Sequence, residues 1–174
     1  MQIRESNGDD RESLRQVHED AFGESEGDSV SRLVVDLLDD ETALPILSLV
    51  AEKDNRILGH ILFSAVAIDG SKTPGVFILA PLAVASDCQG SGIGTALIEQ
   101  GLTLLRKQHA SIVLVLGDPE YYSRTGFKPG HGLKSPYQLA YPEAWMAQEL
   151  VPGALAKTKG TVKCAASLSS PEHW

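Results

Sequence analysis

The stretch Ala85–Gly101, ASDCQGSGIGTALIEQG, decides how the rest of the chain is read. It places three glycines in alternation at Gly90, Gly92 and Gly94, then turns apolar with helical spacing. Ile93, Leu97, Gly101, Leu104, Leu105 and Gln108 share one face of a helix expected to run to about His109. Upstream, VFILAPLAVAS (76–86) is nearly continuous in apolar residues, as expected of a strand buried on both faces. Pro81 lies inside it and has no N–H to give, so strand pairing must be broken there on one side. Downstream, SIVLVLG (111–117) reads as a second buried strand. Strand, glycine turn, helix and strand make a βαβ unit with parallel outer strands.

The glycines suggest a ligand. The first N–H groups of a helix have no partner inside it and carry partial positive charge. Glycines let such donors approach an anion closely. Gln89, Gly90, Ser91, Gly92, Ile93, Gly94 and Thr95 are therefore read as a phosphate cradle. No G-K-[ST] follows, so it is not a P-loop, and the G-x-G-x-G spacing is not the dinucleotide fingerprint. A nucleotide-dependent enzyme is disfavoured on both counts.

Outward from this unit, MQIRES reads as a first strand, and helices are predicted over 11–22 and 29–38. Residues 46–68 read as a hairpin, with strands near 46–53 and 56–68 about a turn at Asp54-Asn55. Asp69-Gly70 and Thr73-Pro74-Gly75 mark the next turn. DPEYYSRTGF (118–127) has Asp118 as N-cap, Pro119 at the first helical position and Gly126 as stop. A helical turn is expected near 142–148 and a last strand near 160–166. The fold class is mixed α/β, a twisted mixed sheet flanked by helices, in a single domain over 1–174.

With 174 residues and 43% hydrophobic content, the chain can bury a sizeable core. It has no apolar run long enough for a membrane span. The N-terminal MQIRESNGDD lacks the apolar stretch of a secretory signal, and Cys88 and Cys164 fit no metal or redox spacing. A cytoplasmic protein with free thiols and no metal is expected. The net charge of −8 argues against nucleic acid. Residues 1–42 hold thirteen acids and four arginines, so all the surplus acidity lies in the first quarter. Solvated helix faces are its ordinary explanation.

PLAVASDCQGSGIGTALIEQG resembles the acetyl-CoA signature of the GNAT superfamily of N-acetyltransferases, a strand with L-x-V followed by [QR]-x-x-G-x-[GA] opening a helix. Leu82, Val84, Gln89, Gly92 and Gly94 match it. YYSRTGF resembles the superfamily's closing motif, with Tyr122 four residues before Gly126-Phe127. LGDPEYYSRTGF and GHILFSAV look like a bacterial subgroup of small, mostly uncharacterised members. The resemblance covers roughly residues 1–128 and fades beyond.

The resemblance implies an acetyl-CoA-dependent N-acetyltransferase that passes the acetyl group directly to a primary amine. Two central parallel strands splay, and Pro81 offers a local reason. Backbone groups of Leu82, Ala83 and Val84 would pair with the pantetheine arm, and the cradle from Gln89 to Thr95 would hold the pyrophosphate. The Val84 N–H would stabilise the oxyanion. Tyr122 would protonate the leaving thiolate, while Tyr121 packs or touches CoA. The acceptor would be a small molecule or a peptide amine. The acidic first helices, with Glu24, Glu26 and Asp28, suggest a cationic one. A monomer or homodimer, with no membrane or nucleic-acid partner, is expected. The alternative is an acyl-CoA sensor without turnover.

An alkylamine (pKa ~10.4) is neutral in only about one molecule in 2,500 at pH 7, so a base is needed. Many superfamily members carry a Glu on the strand before the glycines, but VFILAPLAV has no ionisable side chain. The candidates are Glu52, His60, Asp118, Glu24 and Glu26. Asp118 is best explained as a cap and His60 as a half-buried strand residue. Trp145 and Trp174 are read as packing residues, with Trp145 a secondary candidate for the acceptor cleft.

Overall fold

The computed structural model describes all 174 residues. Asp54 and Asn55 both adopt positive φ, 52° and 61°, the two-residue turn whose twist matches a right-handed hairpin. That turn joins β2 (Ile46–Lys53) to β3 (Arg56–Ala65), and β1 (Gln2–Glu5) pairs antiparallel on the outer edge of β2. The strand expected over 56–68 divides. After Ala65 the chain leaves the main sheet, and β4 (Ala67–Ile68) joins a second one. β5 (Val76–Val84) then returns antiparallel to β3, and β6 (Ile112–Leu116) lies parallel to β5 across α2 (Ile93–Lys107). The βαβ unit read from the sequence is thus the centre of the sheet.

The helical turn expected near 142–148 is instead a single 3-10 turn, Pro142–Ala144, running into a strand, β8 (Trp145–Glu149). β8 pairs antiparallel with β6 from Leu116↔Trp145 to Ile112↔Glu149. Cross-strand pairing and burial of Trp145, Met146 and Ala147 outweigh any local helical preference. The main sheet runs β1-β2-β3-β5-β6-β8. The smaller sheet places β9 (Gly160–Lys163) between β4 and β7 (Leu133–Lys134), so the expected last strand is present but short. Two short helices complete the chain, α3 (Pro119–Ser123) and α4 (Ala154–Lys157).

Both faces of the sheet are covered, so neighbouring residues on one strand serve different cores. Ile61, Phe63, Val113 and Val115 face α2 with Leu97, Ile98, Leu105 and Phe127. Leu62, Ile112 and Leu114 face Leu33, Leu37 and Trp145. This alternation explains why β6 reads as an unbroken apolar run. The buried face of α2 includes Ile98 and Leu102 as well as the predicted Ile93, Leu97, Gly101 and Leu105, whereas Leu104 is half-buried and Gln108 is an exposed C-cap.

The helix α1 (Arg11–Asp39) is interrupted at Gly23 (φ 73°, ψ −169°), so the two predicted helices are two limbs around one glycine. Residues 24–28 belong to the second limb. The limbs close so tightly that a Cβ on Gly27 would stand 2.8 Å from the Glu19 carbonyl oxygen.

Between α1 and the sheet lies a buried polar chain. His18 Nε2 and His60 Nδ1 share a hydrogen bond of 2.8 Å, His60 Nε2 and Ser48 Oγ another of 2.8 Å, and Ser48 and Ser6 a third of 2.6 Å. His60 is fully buried rather than half-buried as expected. Burial pushes it down to about 3, with the Asp10 carboxylate pulling weakly the other way. Burial and the neighbouring His60 likewise hold His18 well below the ordinary imidazole range.

Two stability predictions follow from this packing. In Gly101→Ala, the new methyl would overlap the ring of fully buried Phe63. Overpacking of about 1–3 kcal/mol should outweigh the helical preference of Ala over Gly, about 1 kcal/mol, so chemical denaturation should show a lower midpoint. The second concerns acid. Above pH ~6.5 both histidines are neutral whether folded or not, and below it the unfolded chain binds protons that the native core refuses. Stability should therefore fall as pH drops from 6.5, His60 alone contributing about 2 kcal/mol at pH 5 and His18 adding in the same direction. Urea titrations of wild type and His60→Gln at pH 7 and 5 should show a smaller acid loss in the variant. Equal losses would exclude the pair as the source.

Candidate active site

Pairing between β5 and β6 runs from Val76↔Ile112 to Leu79↔Val115 and stops there. On its other edge β5 stays with β3, but the register shifts between Ile61↔Leu82 and Phe63↔Leu79, so Ala80 and Pro81 bulge. Beyond Pro81, β5 therefore has β3 on one side and no strand on the other. The Ala85 N–H donates to the Leu58 carbonyl at 2.8 Å. Antiparallel alternation then makes His60–Ala83 a bonded pair and turns the N–H and C=O of Leu82 and Val84 away from β3. Of the three residues predicted to offer backbone groups, Ala83 has its own committed to β3. The Leu82 N–H and C=O and the Val84 N–H face a cleft of about 1140 Å³ that opens between the parted strands, while the Val84 carbonyl is taken by the Gln89 amide.

The glycine turn closes one end of this cleft. Gly90 (φ 77°) and Gly92 (φ 88°) have left-handed backbone, and a side chain on either would meet nothing within 4 Å. Gly92 caps α2, which leaves the first amides of that helix without intrahelical partners. Gly94 is a glycine for a different reason. A Cβ there would overlap the Tyr121 hydroxyl, so this position makes room for a side chain of the protein itself. Gln89 turns its amide back and donates Nε2 to the Val84 carbonyl at 3.1 Å, fastening the turn to the open strand. Ser91 is exposed, outside the cleft lining, and donates Oγ to the Cys88 carbonyl. Ile93 and Thr95 line the cleft.

On the facing wall, Asp118 caps α3 by accepting from the Glu120 N–H at 2.9 Å, with Pro119 in the first turn. This short helix puts Tyr121 and Tyr122 on the cleft. Gly117 lets the Tyr122 ring lie against the backbone, since a Cβ there would overlap it. Phe127 meets the ring edge-to-face at 5.9 Å and Tyr121 at 5.0 Å. Burial raises the Tyr122 hydroxyl above the ordinary phenol value, so it holds its proton at neutral pH.

The remaining wall comes from the second limb of α1, with Glu26, Ser29, Val30 and Leu33, and from the chain's last residues. Leu168, Glu172 and His173 reach the cleft because Trp174 stacks edge-to-face on Trp145 at 5.5 Å and donates Nε1 to the Leu168 carbonyl. Sequence reasoning missed these three, and its only available signal was a lone Trp ending a polar stretch. Trp145 is a packing residue outside the cleft lining, its indole donating to the Leu133 carbonyl at 2.9 Å.

Of the base candidates, only Glu26 and Asp118 line the cleft. Glu52 pairs with Arg4 on the far edge of the sheet, and His60 is sealed in the His18 chain. Glu24 does not line it, and Asp28 pairs with Arg32. Three more acids of residues 1–42 are engaged in the same way, in Arg4–Asp10, Arg11–Asp39 and Arg15–Glu19. Asp20 ties α1 to the turn after β5 by accepting from the Ser86 N–H and hydroxyl. No helix is long and apolar enough to cross a membrane, and no cluster of side chains could hold a metal ion.

Comparisons with known proteins agree with this geometry. Residues 11–127 match the model of the acetyltransferase (GNAT) family. The chain is 41% identical over 163 residues to YjhQ, an uncharacterised N-acetyltransferase of Escherichia coli K12, covering 90% of this chain and 87% of YjhQ. The solved structure of E. coli YhbS, a GNAT family N-acetyltransferase in complex with CoA, superposes with a TM-score of 0.88 at 29% identity. That match covers 98% of this chain and 92% of YhbS. A GNAT family acetyltransferase from Brucella melitensis, in complex with acetyl-CoA, superposes with a TM-score of 0.78 at 34% identity, covering 96% and 97%. With the parted central strands, the glycine turn and the tyrosine helix in place, the chain belongs to the GNAT family of acetyltransferases.

Proposed function

We propose that the protein binds acetyl-CoA in the cleft and transfers its acetyl group directly to a primary amine. The observation that carries this reading is the edge of β5 that no strand pairs, with the Leu82 groups and the Val84 N–H free, running straight into the glycine turn. An extended pantetheine arm can add to that edge as a short strand. The amides from Gln89 to Thr95, at the start of α2, suit the pyrophosphate. The Val84 N–H, free of β3, would donate to the thioester oxygen as it becomes an oxyanion.

The neutral amine attacks the thioester carbon, the C–N bond forms, and the tetrahedral intermediate expels CoA as a thiolate. Tyr122 gives that sulfur its proton. The burial that makes Tyr122 a weak acid in isolation also desolvates the thiolate, so transfer becomes favourable only as the sulfur takes up charge. The acceptor enters from the wall formed by α1 and the last residues, where Glu26 and Glu172 stand. Two carboxylates there suit a cationic amine, on which they act as counter-ions and steering charges.

Calorimetry with CoA, and thiol release from acetyl-CoA across a panel of amines, test the reading together. Gly92→Ala carries the backbone strain of the left-handed position alone, whereas Gly92→Asp adds a negative charge. CoA affinity should fall modestly in the first and be lost in the second. Equal affinity in both would remove the phosphate from this turn. Tyr122→Phe should keep CoA affinity within a few-fold and lower kcat by roughly 10²–10⁴. Wild-type turnover in that variant would make Tyr122 a packing residue. Cationic acceptors should show kcat/KM that declines with ionic strength, and Glu26→Gln should flatten the decline. A neutral or anionic amine as best substrate would refute the cationic preference.

A further inference from the structure

We propose that His173 takes the proton from the acceptor amine, with Glu172 holding the imidazolium that results. The inference rests on the acetyltransferase reading of the cleft and adds to it the base that β5 lacks.

The ionisable groups facing the cleft come from four elements. They are Glu26 on α1, Cys88 on the turn after β5, Asp118, Tyr121, Tyr122 and Arg124 on and around α3, and Glu172 with His173 in the last turn. Most are unsuited. Arg124 has no lone pair to offer. Burial raises both tyrosines and, with the Asp87 carboxylate, raises the Cys88 thiol, so each keeps its proton. Asp118 is occupied by the Glu120 N–H. Between a carboxylate and an imidazole, the carboxylate is the weaker base by about two powers of ten. Glu26 therefore serves as a counter-ion that keeps the amine charged, and the imidazole is the group that can discharge it.

The fold holds this imidazole in place. The last turn, Pro171–His173, is closed by the His173 N–H donating to the Ser170 carbonyl at 3.1 Å. Trp174 clamps it to Trp145 and Leu168. His173 Nε2 lies 3.6 Å from Glu172 Oε1, and no hydrogen bond of the fold engages the other ring nitrogen. The side chain is 12% exposed, enough to pass a proton outward.

The protons balance. The ammonium gives one to His173 and becomes a nucleophile, and His173 later returns it to solvent. After the C–N bond forms, the nitrogen loses its second proton to Tyr122, which has given its own to the departing sulfur. Products are the amide, CoA thiol and one released proton.

The test uses the whole enzyme and an alkylamine acceptor found by the panel above. His173→Gln should lower kcat/KM by about 10²-fold at pH 7 with CoA affinity unchanged. The deficit should shrink as pH rises towards the amine's own pKa, where the acceptor is already neutral. Added imidazole should restore turnover in His173→Ala. Three results would overturn the proposal: a wild-type pH profile in His173→Gln, a deficit constant across pH, or loss of CoA binding. Were the wild type to bind acetyl-CoA but acetylate no amine, the transferase reading would fail and this one with it. Failure of this proposal alone would show as an active wild type matched by its variant.

Discussion

The structure turns on the bulge of β5 at Ala80-Pro81. Parallel strands β5 and β6 pair as far as Leu79 and Val115 and then part, because the next stretch of β5 bulges at Ala80-Pro81. An unpaired strand edge in the middle of a sheet is costly unless something else uses its N–H and C=O groups. Here the edge is not at the rim, where solvent would serve it. It lies between two walls of side chains and opens into the cleft. The glycine turn, the tyrosine helix and the second limb of α1 are all arranged around that gap.

The rest of the fold keeps the gap open. The sheet carries an apolar layer on each face, so β5 and β6 cannot slide together without disturbing both cores. Gly101 lets α2 sit against the Phe63 ring, which fixes where the start of that helix stands relative to Val84. Gln89 and Asp20 fasten the turn from two sides, one to the Val84 carbonyl and one to Ser86. Each contact is ordinary, but together they hold donors in position before any ligand arrives, the arrangement from which electrostatic catalysis benefits most.

Titratable groups divide by where burial puts them. His18 and His60 are inside, neutral and hydrogen-bonded to one another, and their chemistry appears only as acid sensitivity of the fold. His173 stands at the cleft beside a carboxylate. The same residue type thus serves the core in one place and the proposed reaction in another. Of the acids of α1, which look like a single charged face in the sequence, Glu12, Glu19, Asp28 and Asp39 are held in ion pairs, while Glu26 faces the cleft.

The sequence by itself determined the centre of the molecule: the βαβ unit, the interrupted strand, the capped tyrosine helix and the hairpin turn. These are legible because each depends on residues close in the chain, through glycine φ angles, the missing proline N–H, capping oxygens and apolar periodicity. Only the tertiary structure decided which backbone groups of 82–84 face the cleft, since that follows from the register with β3. It alone showed that Gly94 yields to Tyr121 rather than to a ligand, and that Trp145 lies in a strand rather than a helical turn. It also brought Glu172 and His173 to the site through the meeting of two tryptophans 29 residues apart in the chain. The physical reason is the same throughout. Local signals encode what a residue does to its own backbone, whereas contacts across the sheet depend on how distant segments share one buried volume.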